Sequence, residues 1–122
     1  MTENKQYIAQ DQENGSVLIS EDVIVDIVSL AIAEVEGVAG ISAKPGADIV
    51  ELIGVKNWGR GLKVSIRPDD SVVIDCNVNV RFGYSVVDVA KAVQDAVLTA
   101  VESMTNVKAV SVNVNVCGIV RQ

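Results

Sequence analysis

Histidine is absent from the 122-residue chain. That removes the commonest general base and the commonest metal ligand, and with them any Ser–His or Cys–His nucleophile. Aromatic residues supply only 3% of the chain, so a core has to be aliphatic. The two cysteines, Cys76 and Cys117, lie too far apart for a metal-type pair and read as free thiols in a reducing compartment. Long apolar runs are missing too. The longest, Val23 to Val35, is broken by Asp26 and Glu34 and falls short of the ~20 residues a bilayer span needs. Residues 1–14 hold no apolar signal core. Together these absences predict a soluble, intracellular, non-enzymatic protein with no cofactor, no metal and no direct membrane insertion.

What is present is a small acidic domain rich in valine. A formal net charge of −6 and a pI near 4.5 deny the chain the positive field that drives binding to phosphate backbones, so nucleic acid is disfavoured as a partner. The length suits one domain, and a hydrophobic content of 49% is enough for it to bury a core.

Taken in order, residues 1–14 read as a mobile polar arm and residues 15–122 as a single α+β domain. Gly15 to Ile19 makes a short edge strand. Ser20 caps a helix that begins with Glu21 and Asp22 and runs to about Glu36, its apolar face made of Ile24, Ile27, Val28, Ala31, Ile32 and Val35. Gly37 is placed to end it. Val38 to Ser42 is a short strand or link, and Asp48 caps a single helical turn. Leu62, Val64 and Ile66 alternate with polar residues, and Pro68-Asp69-Asp70 turns that strand into the next as an antiparallel hairpin.

The stretch from Val72 to Val116 carries the clearest pattern. Val72, Ile74, Cys76, Val78 and Val80 alternate with Val73, Asp75, Asn77, Asn79 and Arg81, and Val110 to Val116 repeat that parity around Asn113 and Asn115. A period of two places one apolar and one polar row on opposite faces of each strand. Between them Ser85 and Asp88 open a second helix as a capping box, with Val86, Val89, Ala90, Val93, Val97, Ala100, Val101 and Met104 on its buried face. The strand–helix–strand unit is long enough for a right-handed parallel crossover. The expected fold is therefore a two-layer α+β sandwich: a mixed sheet with two helices packed on one face, in the order β-α-β-β-α-β with an inserted loop.

Motifs for chemistry are weak. Gly54 to Gly61 is glycine-rich, but it lacks the Walker spacing and leads into a strand instead of a helix. Its Lys56, Trp58 and Arg60 make it a candidate partner-docking loop, since tryptophan is a common interface anchor. Gly37-Val38-Ala39-Gly40 matches the Gly-x-x-Gly of KH modules but has apolar residues where basic ones are usual, so a KH-like RNA binder is the weakest reading. Asparagine is depleted in strands. A face carrying Asn77, Asn79, Asn113 and Asn115 is accordingly a candidate surface for self-association or partner contact.

Several runs, in this order, resemble one family. They are Gly15-Ser16-Val17-Leu18-Ile19-Ser20, Glu34 to Gly40, Lys56 to Val64, Phe82-Gly83-Tyr84-Ser85, and Val110 through Gly118. Together with Val89-Ala90, Val93-Gln94, Val97 and Met104-Thr105, they are similar to the alkaline shock protein family of Gram-positive bacteria, also called the Gls24 envelope stress response family. The resemblance implies a cytoplasmic homo-oligomer linked to cell-envelope homeostasis. It also implies recruitment to the inner face of the membrane by a membrane-anchored protein partner. It brings no catalytic residues. The other function weighed is a cytosolic regulatory subunit of a metabolic enzyme, for instance in lipid synthesis.

Overall fold

The computed structural model describes residues 7–41 and 61–121. Among the described residues there are eight elements: β1 (Tyr7–Gln12), β2 (Gly15–Ser20), α1 (Glu21–Ala33), β3 (Val38–Ile41), β4 (Leu62–Ile66), β5 (Val72–Arg81), α2 (Val86–Thr105) and β6 (Val110–Val120). The class is α+β, as the periodicities predict, with the Asp48 turn falling outside the described residues.

β5 organises the main sheet. It pairs with β6 in parallel along its whole length, from Val72↔Val110 to Arg81↔Val120. β4 runs antiparallel to its first half (Leu62↔Cys76, Ile66↔Val72), and β3 antiparallel to its second (Val38↔Val80, Ile41↔Val78). Since β6 occupies one edge throughout, β3 and β4 share the other end to end. The predicted hairpin and parallel crossover are both present. At the hairpin, Asp69 Oδ1 accepts from Ser71 N–H (3.0 Å) and Ser71 Oγ–H (2.7 Å), and Asp70 takes φ 69°. These two hydrogen bonds, the hydroxyl's first, hold the Asp69 carboxyl below its usual pKa.

The apolar row of β5 is fully buried, with Val72, Ile74, Cys76, Val78 and Val80 all at 0% exposure. It meets Ile24, Val28 and Ile32 of α1 and Val89, Val93, Val97 and Val101 of α2 in one core. Valine is a modest helix former, so α2 owes its stability to burial at ~1.5–3 kcal/mol for each fully buried valine. Its ends are closed locally. Ser85 Oγ accepts from Asp88 N–H, and Asn106 takes the left-handed conformation and donates its N–H to Glu102 O (2.9 Å).

Four expectations need correction. Among the described residues the order is β-β-α-β-β-β-α-β and not β-α-β-β-α-β, because Tyr7–Gln12 and Val38–Ile41 add strands, and β2 lies outside the mixed sheet. Residues 7–12 do not belong to a mobile arm: β1 pairs with β2 as a separate two-stranded sheet, with Ile8↔Ile19 in register. Two side chains anchor it. Ile8 is 2% exposed within the core, and Gln10 Nε2 donates to Thr105 O, a carbonyl in the last turn of α2. The first helix stops at Ala33 and not near Glu36, because Glu34 N–H and Val35 N–H bond three residues back, to Ala31 O and Ile32 O. Met104 is exposed, since it lies on the rim of the space between α1 and α2 and not beneath α1.

Candidate interaction surfaces

Among the described residues no group of three or more Cys, Asp and Glu side chains is placed to hold a metal ion. Cys76, the one buried thiol, has its pKa pushed up to about 12 by burial and by the charge of Asp75, which keeps it protonated and inert at neutral pH. Lys56, Trp58 and Arg60, the predicted docking loop, lie outside the described residues.

The four asparagines of the polar sheet face all lie among the described residues. Parity places Asp75, Asn77 and Asn79 of β5 on it, beside Asn113 and Asn115 of β6. Asn113 Nδ2 donates to Asp75 Oδ1 (3.0 Å) and Asn115 Nδ2 to Asn77 Oδ1 (3.1 Å), so each rung joins register partners. Lys63 of β4 lies across from Asp75 on the other side. The four asparagines thus share a face but differ in access. Asn113 and Asn115 are exposed, Asn79 is half-buried and Asn77 is buried. Asn77 Nδ2 has no hydrogen-bond partner among the described residues. The ladder helps explain how asparagine is tolerated in strands here: Asn113, Asn115 and Asn77 each place one side-chain hydrogen bond on the neighbouring strand.

The pairing breaks once. After Val78↔Val116 the register resumes at Asn79↔Gly118, so Cys117 is a bulge residue. Parity flips beyond it. Ile119 pairs with Val80 on the helix side of the sheet yet is 57% exposed, and Arg121 stacks over the exposed Phe82 ring at 5.1 Å. Alternation read from sequence cannot place this bulge, because Cys117-Gly118-Ile119 has no polar residue to mark the change of side.

The outer edge of β6 is the second surface. Val72 N–H donates to Ala109 O and Phe82 N–H to Val120 O, whereas Asn77 and Arg81 N–H donate the other way, to Gly61 O and Gly37 O. Even-numbered β5 residues therefore bond to β6. The parallel ladder then leaves the N–H and C=O groups of Val110, Val112, Val114 and Val116 pointing away from β5. Among the described residues no strand pairs with that edge. One group is occupied: Gln94 of α2 donates from Nε2 to Val112 O (3.2 Å).

A family model described as the alkaline shock protein 23 family, with a cell envelope-related function, matches residues 9–121. The chain belongs to the alkaline shock protein family. It is 34% identical over 110 residues to the uncharacterized protein YqhY of Bacillus subtilis (strain 168), a match that covers 90% of this chain and 81% of the relative. To the uncharacterized protein Spy1535 of Streptococcus pyogenes serotype M6 it is 32% identical over 108 residues, covering 88% and 81% of the two. Among solved structures it is similar to MamM CTD, at 16% identity and a TM-score of 0.47, over 83% of this chain and 94% of that one. That likeness bears on neither function nor assembly.

Membership of the alkaline shock protein family carries a cell envelope-related function with it. Among the described residues no helix is long and apolar enough to cross a membrane.

Proposed function

We propose that this alkaline shock family member is a non-enzymatic scaffold. It self-associates through the β6 edge and is held peripherally at the inner face of the membrane by a membrane-associated protein partner. The observation that carries this reading is the row of outward backbone groups on an eleven-residue strand. An open edge of that length is a template for a further strand. Two β6 edges related by a two-fold axis would continue one sheet across both copies. The asparagine rows would then lie side by side on its polar face. The missing histidine and the absence of a converging acid cluster among the described residues fit a protein that binds and does not catalyse.

The test uses Val114→Pro. It deletes one outward N–H without touching the β5–β6 ladder, and proline is tolerated on an edge strand whose N–H faces solvent. Light scattering should give an oligomer for the parent chain and a monomer for the variant, with unchanged circular dichroism. Fractionation of the native cell should place the protein with the membrane. A monomeric parent chain at all concentrations overturns the self-association reading. Recovery in a soluble stoichiometric complex with a metabolic enzyme overturns the scaffold reading in favour of a regulatory subunit.

A further inference from the structure

Away from the sheet, the outer surfaces of α1 and α2 leave a groove of about 540 Å³ between them. Its floor is made of small residues, Ala31 on α1 and Ala96 and Ala100 on α2. Its walls are Leu30 and Met104, which at 70% and 68% exposure are the most exposed large apolar side chains among the described residues. Small side chains below and long flexible ones at the sides form a slot that a helix can enter. From Ala96 to Met104 the slot extends for two helical turns, ~12 Å at 1.5 Å per residue.

The rim has one sign. Glu34 and Asp95 are the charged residues that line the groove, and both are exposed. Lys91, one turn before Asp95, does not line it. Neither helix carries a base in its last turn. The last-turn carbonyls of α1, which ends at Ala33 beside Glu34 and has no base in that turn, add to the negative sign of the rim.

This charge pattern selects among occupants. A second copy docking through the same groove would set its own Glu34 and Asp95 against this pair, and like charges in apposition are costly. An anionic lipid surface would be repelled for the same reason. A cationic partner is attracted.

We infer that the α1–α2 groove is the docking site for a cationic amphipathic helix of a partner protein. Apolar residues at i, i+4 and i+7 enter between Leu30 and Met104, and flanking Lys or Arg side chains meet Glu34 and Asp95. The inference rests on reading the protein as an interaction module, but it concerns a surface on the opposite side of the sheet from the asparagine face. Its failure is therefore separable from failure of self-association.

The experiment titrates the full-length, methyl-labelled protein with two 14-residue model helices of identical leucine pattern, one carrying lysine and one glutamate at the polar positions. The lysine helix should bind saturably, shift the Ala31, Ala96 and Met104 methyl resonances, and weaken as salt rises. Glu34→Lys with Asp95→Lys changes only exposed side chains and should reduce its affinity about tenfold, the equivalent of ~1.4 kcal/mol for two lost and two repelling charge contacts. The same variant should gain affinity for the glutamate helix. Equal binding of both helices by the parent chain, shifts mapping elsewhere, or no binding at all would each overturn the assignment.

Discussion

Asn79 and Gly118 face each other across β5 and β6, and a β-carbon on Gly118 would lie 3.1 Å from Asn79 Oδ1. The Cys117 bulge creates this closeness by returning position 118 to the polar face that Asn79 occupies. Gly118→Val should therefore destabilise the domain by about 1–3 kcal/mol through overpacking. Asn79→Ala should recover much of that loss, since the clash is with its side chain. Urea denaturation of the two single variants and the double variant closes the cycle. Additive effects would mean that the two side chains do not compete for one space.

Gly37 is held more tightly. It has φ +94°, and an added β-carbon would meet Val89 Cγ2 at 2.8 Å and Tyr84 Cδ2 at 2.9 Å. Both the backbone and the surroundings demand glycine, so Gly37→Ala should cost ~2–5 kcal/mol, the sum of a left-handed alanine and an overpacked contact. Tyr84 also donates its hydroxyl to Glu36 Oε2 (3.2 Å). Tyr84→Ala combined with Gly37→Ala should remove part of the steric cost but not the backbone cost, which thermal melts of the pair can separate.

The alternation in β5 and β6 and the caps of α2 were legible in the sequence because each signal is local and repeats over many residues. Co-facial placement of the four asparagines followed from the same parity, and the structure puts them on one face. What stayed hidden depends on contacts between distant segments. One isoleucine and one glutamine in a polar stretch have no period, so nothing before Gly15 marked Ile8 as core or Gln10 as the partner of Thr105. Met104 has the spacing of a buried residue, three after Val101 and seven after Val97, but it lies on the rim of the α1–α2 groove, and helical spacing alone cannot tell rim from core.

Anchoring of β1 is the most direct consequence of that hidden contact. Ile8→Ala should lower stability by ~2–5 kcal/mol, the usual cost of emptying a core isoleucine. Gln10→Ala should cost about 1 kcal/mol, the net value of a typical hydrogen bond. Hydrogen exchange should show the β1 and β2 amides losing protection in both variants while the β5 amides keep theirs. Unchanged β1 protection in Ile8→Ala would mean that the strand is not held by the core.

The two cysteines should behave as opposites. Cys117 is exposed on the bulge, whereas Cys76 is buried with its pKa pushed up to about 12 from 9.0. A thiol reagent at pH 8 should label one cysteine per chain in the native protein and two in denaturant. The sign of the pH effect follows from proton linkage. Between the unfolded value near 9 and the folded value near 12 the unfolded chain binds fewer protons at Cys76, so this thiol's contribution to stability is complete below about pH 9. Above that it falls by at most ~1.4 kcal/mol per pH unit. Cys76→Val conserves the apolar shape and abolishes the titration, so its urea midpoint should decline less than the parent's between pH 9 and 11. Parallel declines would assign alkaline lability to other groups, and prompt labelling of both cysteines in the native state would show that the β5 core opens on the timescale of the reaction.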